Sequence, residues 1–144
     1  AAACAAHVKG LELTAYHPNA IMGTALGYAV SSRGGDYNNV YASLEYSWSR
    51  EQAVDIHATR AKGWLIKKAV VTNILVDCLG LCKVPVLSLL KLFNLEPEIS
   101  LVNALVETDF TKDGLTKAGV KIAAMERFFR KTVKKRYLPV IFCF

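Results

Sequence analysis

A chain of 144 residues with 53% apolar and 21% charged residues has material for one hydrophobic core and too little for two. That balance excludes an intrinsically disordered chain, and the slight apolar excess points to surface that meets a partner. The net charge of +6 is local, because Arg127, Arg130, Lys131, Lys134, Lys135 and Arg136 crowd one region while the remainder is nearly balanced.

The opening AAACAAHVKG lacks the basic start and long apolar centre of a secretory signal, so a cytoplasmic protein is expected. Residues 11–18, LELTAYHP, read as extended or turn-like, because the residue before a proline avoids the α region. Asn19 is then positioned to cap a short helix over AIMGTALGYAVSS, with Ile21, Ala25 and Tyr28 on one face. Gly23 and Gly27 leave a flat strip on that helix where another backbone can approach. SSRGGDYNN ends it, with Gly34 or Gly35 taking positive φ.

VYASLEYSWS alternates only partially and fits either a short strand or an irregular loop. From Ser49 to Val76 the spacing of Val54, Ala58, Ala61, Leu65 and Ala69 predicts a helix that ends near Asp77. Pro85 makes LGLCKVP a tight connection between helical parts. VLSLLKLFNL and PEISLVNALV are two further predicted helices, separated near Glu96–Pro97. Thr111 caps the last helix, on which Leu115, Ala118, Ile122, Met125 and Phe129 form an apolar stripe. The basic cluster falls in its final turns and complements the helix dipole. The expected fold is mainly α, a single multihelical unit over residues 1–144. The longest oily run, 69–95, is interrupted by Asp77, Lys83, Pro85 and Lys91, which argues against a membrane span.

Chemistry-bearing residues are few. Four cysteines, at 4, 78, 82 and 143, do not make a secreted disulfide scaffold. Within DCLGLCK, Cys82 is either a thiolate ligand or a buried structural cysteine. Spacing favours the second, since Cys78 and Cys82 supply two ligands at most and no C-x-x-C pair exists. Asp77 needs a hydrogen-bonding partner if buried, and Gly80 allows a backbone or a bulky ligand to come close. RGGDYNN fits an anion site or, more simply, a glycine-capped helix end with a solvated arginine. His7, His17 and His57 are scattered and form no triad or zinc spacing. The basic cluster lacks a nucleic-acid motif or interleaved aromatics, so a solvated helix face is preferred over a nucleic-acid partner.

Three stretches together resemble the aldehyde:ferredoxin oxidoreductase family, the tungsten or molybdenum pterin enzymes. HVKGLELTAYHPNAIMGTALGYAVSSRGGDY is similar to the family's HVKGLE-x-x-AYDPR…G-x-GLGYAT-x-x-RGGCH, and DCLGLCK to its D-x-x-G-L-C motif. LVNALVETDFTKDGLTKAGVKIAAMERFF resembles the following helical region, and all three occur in the family's order. The resemblance implies the C-terminal helical part of such an enzyme. It implies Cys82 as the last of four thiolates on a [4Fe–4S] cluster, with Asp77, Gly80, Leu81, Cys82 and Lys83 bordering a tungsten or molybdenum bis-pterin. Asn39 stands where the family has a pterin-contacting lysine. Tyr37 replaces the RGGCH histidine at the catalytic position, and Asp36 its cysteine. A phenol, with an ordinary pKa near 10, is a poor base at neutral pH.

The implied reaction is oxidation of an aldehyde to a carboxylic acid, with electrons leaving through the cluster to ferredoxin. The family's other three cluster cysteines, its first D-x-x-G motif, its catalytic glutamate and its N-terminal metal-pterin domain have no counterpart in these residues. A missing N-terminal portion or companion subunit is therefore an expected partner, and the fragment alone is expected to be inert. A truncated, non-catalytic helical interaction protein is the alternative, and a homo-oligomer is left open.

Overall fold

The lysine–glycine pair at 9 and 10 decides how the chain starts. Both residues hold positive φ (57° and 82°), the combination a two-residue hairpin turn requires. Strands β1 (His7–Val8) and β2 (Leu11–Glu12) therefore pair antiparallel, with His7 opposite Glu12 and Val8 opposite Leu11. This hairpin falls partly in the stretch read from sequence as extended or turn-like. The computed structural model describes residues 5–40, 45, 55–83 and 95–133.

Helix α1 (Met22–Val30) starts later than its sequence suggests, and Asn19 does not cap it. Residues 17–20 close a turn of their own, in which the Ala20 amide donates to the His17 carbonyl at 3.0 Å and the Asn19 amide to His17 Nδ1 at 3.2 Å. Ile21 precedes the helix in extended conformation and offers no side-chain cap. The cap comes instead from a distant residue. The buried Glu45 carboxylate accepts from the Gly23 amide at 2.9 Å and the Thr24 amide at 3.2 Å, and the Ile56 carbonyl accepts from the Met22 amide at 2.9 Å. Glu45 is in turn paired with the buried Lys62 ammonium, which also donates to the Asp55 carbonyl at 2.7 Å.

The flat strip expected on α1 is present and occupied. A Cβ on Gly23 would overlap the Glu45 carboxylate, and one on Gly27 would lie 2.6 Å from Val40 Cγ2. These two glycines let Glu45 and Val40 reach the helix axis, which larger residues would prevent.

Helix α2 (Lys62–Cys78) is shorter than the helix predicted over 49–76. Ala61 adopts left-handed φ (64°), and residues 55–60 form turns in which Asp55 accepts from the His57 amide at 2.9 Å. The Lys62 ammonium, holding the Asp55 carbonyl, folds the segment back just where the apolar periodicity would have continued it. Residues 49–54 lie outside the described residues, as do most of VYASLEYSWS, all but Leu95 of VLSLLKLFNL, and Lys134, Lys135 and Arg136. The end of α2 falls at Cys78, one residue beyond the expected Asp77.

Helix α3 (Glu96–Val106) carries Pro97 in its first turn, where a missing amide proton costs nothing. Asn103 shapes the connection that follows: its Oδ1 accepts from the Phe110 amide and the Thr108 hydroxyl, and its Nδ2 donates to the Phe110 carbonyl. Thr111 then caps helix α4 (Lys112–Val133) as expected, its Oγ1 accepting from the Gly114 amide at 3.1 Å.

The stripe on α4 is correct only in its first half. Leu115, Ala118 and Ile122 are half-buried, whereas Met125 and Phe129 are 69% and 65% exposed. The inward face runs instead through Gly119, Ala123, Glu126 and Arg130. A strict 3, 4, 3, 4 pattern drifts relative to a straight helix of 3.6 residues per turn, and polar contacts to α1 fix the actual rotation. The Ser32 hydroxyl donates to Glu126 Oε2 at 2.9 Å, and Arg130 Nη1 to the Ser31 carbonyl at 2.9 Å.

The described residues are mainly α-helical, as the sequence indicated. Helix α2 is central, packed against α1 on one side and α4 on another. A core cluster of Leu75, Val76, Leu95 and Ile99 joins α2 to α3, with Val71, Leu81 and Leu115 against it. Among the described residues no helix is long and apolar enough to cross a membrane.

Two predictions follow from the charges this fold buries. Removing Glu45 strands the Lys62 charge and uncaps α1, so Glu45→Ala should cost about 3–5 kcal/mol in urea unfolding, with Glu45→Ala/Lys62→Met recovering part of the loss. Lys9 donates to the Ala29 and Ser31 carbonyls at the end of α1. Burial, aided by the Arg130 charge, pulls its pKa down from 10.5 to about 8. The folded state thus releases this proton first, and between pH 8 and 10.5 the unfolded state binds more protons. Unfolding free energy should therefore rise with pH across that window more steeply in the wild type than in Lys9→Met.

Candidate functional site

DCLGLCK is the C-terminal cap of α2. The Leu81 amide donates to the Val76 carbonyl at 3.0 Å and the Gly80 amide to the Asp77 carbonyl at 3.1 Å. This pair of bonds defines a Schellman motif, with Gly80 at φ +68° as its left-handed residue. Leu81 supplies the accompanying apolar contact by packing, half-buried, on the Leu75–Val76 cluster. A Cβ at Gly80 would meet nothing within 4 Å, so glycine is required here for its backbone conformation and not for a close approach. Leucine and glycine in this motif are thus explained by helix termination.

Of the remaining four residues, Asp77 and the two cysteines are exposed and Lys83 is half-buried. Cys78 and Cys82 are both exposed free thiols, which corrects the reading of Cys82 as a buried structural cysteine. The Asp77 side chain is 44% exposed and one of its oxygens, Oδ2, accepts from the Lys83 ammonium at 2.9 Å. Lys83 also donates to the Asn38 carbonyl at 2.6 Å. That contact is the link between the two motif-bearing segments: the lysine ties the end of α2 to the 3-10 turn Tyr37–Asn39.

The turn is built by RGGDYNN itself. Asp36 Oδ1 caps it by accepting from the Asn38 amide at 2.9 Å, while Asp36 Oδ2 accepts from Arg33 Nη1 at 3.0 Å. Arg33 is thereby paired within the segment, and no glycine caps α1: the cap is Ser31, at φ −51°, whose amide donates to the Gly27 carbonyl at 2.8 Å. Gly34, not Gly35, takes positive φ (120°). Asn39 is buried and donates to the Ser32 hydroxyl at 3.0 Å and more weakly to the Ser31 hydroxyl at 3.4 Å, bracing the turn on the end of α1.

Tyr37 is held from the other side. Its ring lies 5.2 Å from that of Tyr16, tilted by 59°, a favourable aromatic arrangement. The Tyr16 carbonyl accepts from the buried Tyr28 hydroxyl at 3.2 Å, and that hydroxyl also bonds the Thr14 hydroxyl at 2.7 Å. Burial pushes the Tyr28 phenol above its ordinary pKa, so it remains a donor to this network.

Lys83 brings Asp77 and the backbone of the Tyr37–Asn39 turn together, and Gly80 and Leu81 shape the bend before it. Cys82 follows that bend as an exposed thiol, whereas the Asn39 side chain is buried against Ser31 and Ser32. Among the described residues no group of three or more His, Cys, Asp or Glu side chains converges to hold a metal ion. Local sequence gave no sign of Glu45, Lys62 or Lys9. Glu45 and Lys62 pair across 17 positions, and Lys9 reaches carbonyls 20 and 22 positions on.

The family model for aldehyde ferredoxin oxidoreductase, domains 2 and 3, matches residues 1–138. The chain is 31% identical to the tungsten-containing aldehyde ferredoxin oxidoreductase of Pyrococcus furiosus over 126 residues, 85% of this chain and 20% of that protein. It is 29% identical to the enzyme of the same description from Thermococcus kodakarensis over 145 aligned positions, 91% of this chain and 23% of that one. The chain thus spans about a fifth of the length of the curated relatives it matches. No solved structure matches it.

Because Gly80 sits in the left-handed region with open space around it, Gly80→Ala should cost about 1 kcal/mol and Gly80→Asn less. Chemical denaturation of the three proteins, with amide exchange at Leu81 to report the cap, checks both expectations.

Proposed function

Since the chain belongs to the aldehyde ferredoxin oxidoreductase family, we propose that it is the helical C-terminal part of a tungsten- or molybdenum-pterin oxidoreductase acting on aldehydes. The observation that supports this reading is the Lys83 bridge, which ties Asp77 in the last turn of α2 to the Asn38 carbonyl of the Tyr37–Asn39 turn.

The donor set fits the implied groups. An exposed thiol at Cys82 is suited to serve as one of four thiolates around a [4Fe–4S] cluster, the other three coming from a missing N-terminal portion or companion subunit. Asp77 is half-exposed and accepts one hydrogen bond from Lys83, which leaves carboxylate lone pairs for the N–H groups of a pterin. When bound, the metal-pterin supplies the two-electron chemistry and the cluster a one-electron exit to ferredoxin.

The chain's own residues orient and donate. Lys83 neutralises Asp77 and holds it against the turn. Tyr37, stacked against Tyr16, stands where the family resemblance puts a catalytic side chain and would offer its hydroxyl to the substrate as a hydrogen-bond donor. The substrate class is an aldehyde, the product a carboxylic acid, and the compartment the cytoplasm. A non-catalytic interaction protein is the second reading, supported by the exposure of Met125, Phe128 and Phe129.

Metal analysis and visible spectroscopy of the natively purified assembly separate the two. The expected result is iron with tungsten or molybdenum and a broad brown absorbance, the iron–sulfur band disappearing in Cys82→Ser while helical circular dichroism is retained. A colourless, metal-free native assembly would leave the interaction reading standing and remove the enzyme.

A further inference from the structure

Helix α4 packs tightly on α2 at Gly119, where an added Cβ would lie 3.0 Å from Val71 Cγ1 and 3.3 Å from Leu75 Cδ2. Farther along, the hydrogen bonds from Ser32 to Glu126 and from Arg130 to the Ser31 carbonyl tie α4 to the end of α1. Between the pinch and the tie the three helices enclose a cleft of about 540 Å³. That volume falls within the range of small-molecule sites.

Each helix presents a single face to this cleft. Leu26 and Val30 come from α1, Ile66 and Val70 from α2, and Val120 and Ala123 from α4, so the walls are aliphatic. The polar lining is lopsided in charge. Lys67, Arg127, Arg130 and Lys131 line the cleft, against Glu126 as the one acid in the lining. Glu126 already accepts from Ser32, and Arg130 spends one guanidinium nitrogen on a backbone carbonyl. Lys67, Arg127 and Lys131 make no ion pair among the described residues.

We propose that the cleft between α1, α2 and α4 is a binding site for a monocarboxylate with an aliphatic tail. The aliphatic walls bury the tail, and the cations around it receive the carboxylate through charge-assisted hydrogen bonds. A neutral apolar ligand leaves that charge unused, and a cationic amphiphile is repelled by it. Of the residues implicated in cofactor binding, only Asn39 reaches the lining, so the site operates with or without a metal centre.

Decanoate, decanol and decylammonium are the probes, titrated calorimetrically into the purified full chain in the assembly it forms. Decanoate should bind saturably, with decylammonium weaker by about tenfold or more, the scale of a lost charge-assisted contact. Val70→Trp fills the cleft and should abolish binding. Arg127→Glu/Lys131→Glu, both at exposed positions, should weaken decanoate by about tenfold without filling anything. If Val70→Trp fails to fold, judged by circular dichroism, the charge-reversal variant still decides. Absence of saturable decanoate binding, equal affinity for decylammonium, or indifference to the charge reversal each overturns the assignment. None of these outcomes depends on metal content, so the cofactor reading stands or falls separately.

Discussion

One buried carboxylate determines how α1 and α2 meet. Glu45 stands between the first turn of α1 and the first residue of α2, taking two amide protons from one and an ammonium from the other. An ionised group in such a place is costly unless every lone pair is engaged, and here the satisfied geometry allows few alternatives. The requirement propagates. Lys62 also holds the Asp55 carbonyl, Val40 enters against Gly27, and the 3-10 turn that follows α1 is delivered beside the far end of α2.

At the opposite ends of the same two helices the chemistry is reversed. Helix C-termini present unsatisfied carbonyls and partial negative charge, and each of these ends has gathered cations. Lys9 and Arg130 converge on the Ser31 carbonyl at the end of α1, and Lys83 pairs with the Asp77 side chain in the last turn of α2. At the α2 end the lysine is spent on protein acceptors, the Asn38 carbonyl and one Asp77 oxygen. The cleft beside α4 differs, since Lys67, Arg127 and Lys131 line it over aliphatic walls and make no ion pair among the described residues.

What could be read from the sequence depended on whether the controlling partner was nearby. Thr111 caps α4 through a residue three positions on and was legible, whereas Gly80, which ends α2 through bonds spanning at most five positions, was read as room for a close approach that the open space around it does not bear out. The start of α1 was not, because its cap lies 22 residues away in a segment with no regular pattern. Apolar periodicity across Ala58 and Ala61 gave a helix that the left-handed Ala61 interrupts. On α4 the same periodicity kept Met125 and Phe129 inward, whereas the polar pull of Ser31 and Ser32 turns Glu126 and Arg130 toward α1 instead. The candidate site was located through motif resemblance, yet the role of Lys83 as its tie emerged only when Asn38 and Asp77 were seen to share it.

Helix α1 is nine residues long, contains two glycines and has no side-chain cap of its own. Isolated helices shorter than about 12–15 residues are marginal in water even with good composition. Its order is therefore borrowed from neighbours, above all from Glu45 and Val40. The RGGDYNN turn follows directly from this helix and inherits the same dependence. Half of the candidate site thus has no independent existence: it appears cooperatively, in one step with the tertiary structure, or not at all.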